Sequence, residues 1–125
     1  MKKIYLAHST GFDYKKEIYS PIRQSELNQE YYFLLPHENS DSPFNSKEFF
    51  KNEANLVIAE ISYPSTGMGI ELGWADSMQI PVIGIAKKNE KYSKSATVIT
   101  KEIIEYADSK ELIEKLKTVL IKYLK

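Results

Sequence analysis

The stretch YPSTGMGIELGWAD, residues 63–76, decides how this chain is read. It follows the apolar run LVIA at 56–59 and leads into helical spacing at Ile70, Trp74 and Met78, which predicts a strand, a tight glycine loop and a helix start. Gly67 and Gly69, two apart, remove side chains where a backbone must turn sharply or let another group come close, so the loop is a place for a ligand. Glu71 is expected in the first turn of the helix, where unpaired N–H groups and the macrodipole favour a carboxylate over the neutral acid. That environment suits a nucleophile. It also suits a carboxylate that does no more than satisfy the helix end. A capping box does not account for Glu71, because Met68 stands where Ser or Thr is needed.

The flanking segments repeat the strand and helix alternation. IYLA at 4–7 is a strand-length apolar run ending in HSTG, and Asp13 can cap a helix running toward Leu27 that Pro21 must kink or divide. YYFLL at 31–35 is a second strand, stopped by Pro36 and followed by a polar loop over 37–45. A short helix is expected over 46–52, a third strand over 56–61, a fourth over 82–86 and a fifth around 103–106. The last helix, over 109–124, puts Leu112, Leu116, Val119, Leu120 and Tyr123 on one face. Strands that read as continuous apolar runs between helices predict an α/β fold: one domain over 1–125, a three-layer sandwich with a five-stranded, mainly parallel sheet, Rossmann-like or flavodoxin-like. Ligands of such sheets bind beyond the carboxyl ends of the strands, where the loops over 7–13, 36–45, 62–69 and 87–94 open.

Composition narrows the function. Seventeen basic and seventeen acidic residues leave no overall field toward nucleic acid or a membrane surface, so any phosphate must be held locally. The chain has no cysteine, which removes thiol catalysis and disulfides and fits a reducing compartment. The apolar run after the N-terminal lysines is too short for a signal segment or a membrane span, and a cytoplasmic location is expected.

Gly67 to Gly73 has the spacing GxGxxxG after the third strand, a poor dinucleotide fingerprint, and no Gly-Lys-Ser/Thr follows to make a P-loop. His8 and His37 end strands on the functional edge, yet further ligands at metal spacing are lacking, so no metal is expected. Ser9, Thr10, Ser65 and Thr66 are hydroxyl donors near helix starts, able to hold a phosphate or simply to cap helices.

Taken together, IYLA at 4–7, LVIAEI at 56–61 and PSTGMGIELG at 64–73 resemble the nucleoside 2-deoxyribosyltransferase superfamily, nearest its 2'-deoxynucleoside 5'-phosphate N-hydrolase branch. The resemblance implies N-glycosidic cleavage or deoxyribosyl transfer on a small nucleotide or nucleoside. Glu71 matches the nucleophile, Tyr5 a tyrosine that helps place the sugar and nucleophile, and Gly67 and Gly69 the close-approach glycines. Ser65 matches a phosphate-binding serine, and Ser95 resembles a second one supplied across a homodimer interface. No cofactor, nucleic-acid polymer or membrane is implied. The departures are His8 for the glycine after the first strand, Gly11 for a phosphate-binding arginine, Lys47 for a second catalytic aspartate and Asn55 for the acid that begins strand three. Glu48 or Asp41 can supply the missing acid; alternatively, the chain is a nucleotide-binding or sensing module with weak or lost turnover.

Overall fold

The computed structural model describes residues 1–124. Five strands, β1 (Lys3–Ala7), β2 (Tyr32–Leu34), β3 (Leu56–Glu60), β4 (Val82–Lys87) and β5 (Glu102–Tyr106), form one sheet in the order β2-β1-β3-β4-β5. Every pairing is parallel, so the expected mainly parallel sheet is entirely so. The order reverses between β1 and β3, which makes the crevice at their carboxyl ends the switch point where ligands of this architecture bind.

Alternating side chains build two cores. Ile4 and Leu6, Ile58, and Ile83 and Ile85 point to one face and pack with Ile18, Ile22 and Leu116. Tyr5 and Ala7, Val57 and Ala59, and Val82 and Ala86 point to the other, against Phe49, Phe50, Met68 and Leu72. Helices α1 (Ser20–Gln24) and α6 (Ser109–Tyr123) cover the first face, and α3 (Ser46–Asn52) and α4 (Thr66–Ser77) the second. Gly84 of β4 lies under the second layer, where a Cβ would come within 3.1 Å of Ile103 and 3.3 Å of Ile61.

The first helical segment is shorter than the sequence suggests. A π-helical turn over Lys15–Tyr19 runs into α1, which ends at Gln24, and a separate turn α2 (Leu27–Glu30) follows. Proline explains the wide turn: Pro21 has no N–H and its ring crowds the carbonyl four residues back, and the Ser20 N–H before it reaches Lys15 O in the i→i−5 pattern. Asp13 supplies the expected cap, its Oδ1 accepting from the Lys16 N–H at 3.3 Å. The short helix α5 (Ala96–Ile99) has no counterpart in the sequence reading, four residues being too few to show periodicity.

Candidate active site

The local structure of the deciding stretch differs from expectation in one respect. Ser65, extended at φ −148°, is the N-cap of α4 and accepts from the Met68 N–H at 3.2 Å. The helix therefore begins at Thr66, so Gly67 and Gly69 lie within its first turns rather than in a loop, and neither has a positive φ. Glu71 is the sixth residue of the helix and not in its first turn. A Cβ at Gly67 or Gly69 would meet nothing within 4 Å, so packing inside the chain does not require glycine at either.

Glu71 faces a cleft of about 440 Å³ at the switch point, lined among others by Tyr5, His8, Ser9, His37, Ser65 and Gly67. Strand β1 brings Tyr5 under it, and the Tyr5 hydroxyl donates to Glu71 Oε2 at 2.5 Å. Tyr5 is itself fixed by aromatic packing, with Phe50 edge-on at 4.9 Å between ring centroids. Burial pushes the Glu71 carboxyl above the usual carboxylate range; hydrogen bonds from Ser46 and Tyr5 and the charge of His37 oppose that push. Burial, then the adjacent Glu71 charge, holds the Tyr5 hydroxyl far above an ordinary phenol, so it remains a donor.

A second cluster forms the wall on the β1 side. His8 Nδ1 lies 2.7 Å from Ser9 O and Nε2 lies 2.5 Å from the Tyr19 hydroxyl. A carbonyl can only accept, so Nδ1 carries the proton and Nε2 accepts from Tyr19. Burial lowers the His8 pKa and keeps this neutral tautomer. The Tyr19 oxygen in turn accepts the His37 N–H at 3.1 Å, which ties the loop after β2 to the π-turn. Thus His8, which lines the cleft, is held in place by a tyrosine from the π-helical turn.

Not every expected residue gathers here. Gly69 and Ser95 line a separate, more apolar cavity of about 210 Å³ across the first turn of α4, which shares Ser65 and Met68 with the cleft. Lys47 is exposed on α3 with its Nζ 5.7 Å from the centre of the Trp74 ring, and it does not line the cleft. Its neighbour Ser46 does, and Ser46 is a site residue that sequence reasoning missed. Of the two substitute acids, Asp41 lines the cleft, whereas Glu48 is exposed and accepts from Asn52 at 2.9 Å. Among the described residues no group of three or more His, Asp or Glu side chains is arranged to hold a metal ion, and no helix is long and apolar enough to cross a membrane.

Similarity to known proteins falls on the same region of protein space. Over 73 residues the chain is 40% identical to "Putative 2'-deoxynucleoside 5'-phosphate N-hydrolase 1" of Thermofilum pendens, covering 54% of this chain and 51% of that protein. Over 46 residues it is 37% identical to the protein of the same name from Syntrophotalea carbinolica, covering 37% of this chain and 32% of the relative. The matches thus span about half, or less, of the length of these curated relatives. Among solved structures, the CMP N-glycosidase BcmB of Clostridium botulinum superposes with a TM-score of 0.70 at 25% identity, covering 95% of this chain and all 100% of that one. These matches bear out the resemblance to the nucleoside 2-deoxyribosyltransferase-like superfamily and its N-hydrolase branch. A conserved protein of Enterococcus faecalis V583, with a TM-score of 0.72 over 96% of this chain and 99% of its own, is 18% identical and shows the shared fold alone. No protein-family model matches the chain.

Proposed function

We propose that the cleft cleaves the N-glycosidic bond of a small nucleotide or nucleoside, with Glu71 as the attacking carboxylate. The observation that carries this reading is the half-buried Glu71 carboxylate, fixed by the Tyr5 hydroxyl at 2.5 Å beside an open cleft at the switch point. The names of the relatives support N-glycosidic cleavage of nucleotides at the level of the family. In the first step a Glu71 oxygen bonds to the anomeric carbon as the carbon–nitrogen bond breaks. The electron pair leaves with the base, which takes a proton from solvent or a cleft acid. In the second step water attacks the same carbon, Glu71 departs as carboxylate, and the water's proton passes to a base, a role open to Asp41 at the cleft wall. A second nucleobase in place of water would make the same intermediate a transferase intermediate; the relatives' names favour hydrolysis.

Ser9, Thr10, Ser65 and Gly67 are among the residues lining this cleft, and the three hydroxyls, with the N–H groups opening α4, suit a 5'-phosphate. A binding module without turnover is the second reading. It is favoured by the absence of a carboxylate on α3 toward Glu71, where Ser46 stands. Single-turnover release of free base from a panel of deoxyribo- and ribonucleoside monophosphates, measured with wild type and Glu71→Gln, tests both. Release that falls by orders of magnitude in the Gln variant supports the nucleophile; release that survives in it removes Glu71 from that role. Calorimetric binding without release from wild type would establish the module.

A further inference from the structure

We propose that Arg23 is a positioning residue for the cleft: acting through Glu38, it holds the segment 37–44, which carries His37, Asp41 and Phe44, in place as the cleft wall. Its consequence for a substrate rests on the proposed reaction taking place in this cleft, whereas its hold on the segment does not. The segment follows β2 and has no helix or strand of its own, yet it supplies those three side chains to the lining. Its internal hydrogen bonds are local, His37 Nδ1 to Ser40 O at 3.3 Å and the Ser42 N–H to Ser40 Oγ at 3.1 Å. Among the described residues, the hydrogen bonds that tie it to distant parts of the chain come from two side chains, Tyr19 and Arg23. Tyr19 Oη accepts the His37 N–H at 3.1 Å. Arg23 grips the Glu38 carboxylate in a fork, Nε donating to Oε2 at 2.8 Å and Nη2 to Oε1 at 2.8 Å.

Both anchors stand on one helical run. Tyr19 ends the π-helical turn and Arg23 lies four residues on in α1, so the two reach toward the same side. Arg23 is the chain's only arginine, and its surroundings use what a lysine lacks. A guanidinium offers parallel N–H groups in a rigid plane, so it can take both carboxylate oxygens and still donate elsewhere. Here it also donates to Asn28 Oδ1 at 2.8 Å and to Phe33 O at 3.1 Å. Those two bonds fix the fork against α2 and β2 independently of Glu38, so the carboxylate meets a preset partner. Arg23 does not itself line the cleft, and its contribution to the site passes through Glu38, the neighbour of His37. With side chains 32% and 35% exposed, the pair is screened less than one fully in water, and Arg23 holds the Glu38 carboxyl below its usual range.

The experiment is a double-mutant cycle on Arg23→Gln, Glu38→Ala and the two combined, read by amide hydrogen exchange in NMR spectra, with circular dichroism to establish that each variant is folded. The His37 and Glu38 amides, bonded to Tyr19 Oη and Leu35 O at 3.1 Å each, report opening of the segment. Each single variant is expected to speed exchange at these two amides by about fivefold, the upper end for a part-exposed ion pair. The double variant is expected to match Glu38→Ala, because both singles break the same contact. Arg23→Lys, which keeps the charge and loses the fork, falls between wild type and Arg23→Gln. Unchanged exchange at His37 and Glu38 in a folded Glu38→Ala, or single effects that simply add in the double variant, overturns the proposal. If Arg23→Gln does not fold, Glu38→Ala against wild type and Arg23→Lys decides it, since it leaves the bonds of Arg23 to Asn28 and Phe33 in place. Where base release from a nucleoside monophosphate is measurable, kcat/KM falls by a similar factor in both singles and no further in the double, chiefly through KM. Faster exchange with kcat/KM unchanged would overturn the positioning role. Wild type that releases no base would defeat the proposed reaction and leave exchange to judge the hold on the segment.

Discussion

Replacing Tyr5 by Phe removes one hydroxyl and leaves the ring that packs on Phe50, so it isolates the hydrogen bond to Glu71. A bond to a charged acceptor in a partly buried setting is worth about 1.5–3 kcal/mol, and the substitution removes that one bond alone. At about 1.36 kcal/mol per unit, the Glu71 midpoint should rise by roughly one to two units. The sign of the stability effect follows. Glu71 is already raised above its ordinary value by burial, so as pH rises the unfolded chain loses this proton first, and folding stability falls between the unfolded and folded midpoints. The variant extends that window upward. Its deficit against wild type should thus be small near pH 4, where the carboxyl is protonated in both, and grow to about 1.5–3 kcal/mol near pH 7.5. Urea unfolding of both proteins at the two pH values measures this directly. A deficit that is equal at both, or absent at neutral pH, would show that the hydroxyl does not support the ionised carboxylate, and would remove the electrostatic account of the site.

Lys47→Asp should leave base release within about threefold of wild type, because Lys47 points over Trp74 and lies outside the cleft; a large gain in initial rate would mean that α3 presents position 47 to the substrate after all. The chain should run as a homodimer, with the segment carrying Ser95 reaching the neighbouring subunit. The 83% exposed Val98 beside that segment would be covered, and light scattering that gives a monomer at assay concentration rejects the pairing.

Much of the architecture was legible because it depends on patterns that survive without tertiary context. Each β-strand is an apolar run bounded by polar or turn residues, and α6 carries its buried stripe at Leu112, Leu116, Val119 and Leu120 as its periodicity requires. The gathering of His8, His37 and Glu71 followed from the order of the elements, since a parallel sheet collects the loops after β1 and β2 and the helix after β3 on one edge, beside Tyr5 of β1. Ser46 was not legible, because whether a helix-start serine caps or turns inward depends on its neighbour: Asn45 took the cap and freed the hydroxyl. The separation of Gly69 and Ser95 from the cleft was hidden for a similar reason. Two positions apart in a helix, Gly67 and Gly69 point to different sides, which follows only once the stretch is known to be helical from Thr66.

That last difference changes why Glu71 can be ionised at all. With Glu71 in a first turn, the free N–H groups and the macrodipole would hold the carboxylate charged, and the helix alone would make the site. Ser65 moves the start of α4 back to Thr66, and the dipole's influence fades within the first turn, before the sixth residue. The helix then supplies position but little stabilisation, while burial in the cleft works against the charge. The opposing influence must come from elsewhere in the fold: from Tyr5 on β1, Ser46 on α3 and His37 in the loop after β2. These groups lie on β1, on α3 and in the loop after β2, which have to meet around Glu71 before its charge is supported, so the glycine-rich stretch at 63–76 does not support that charge by itself.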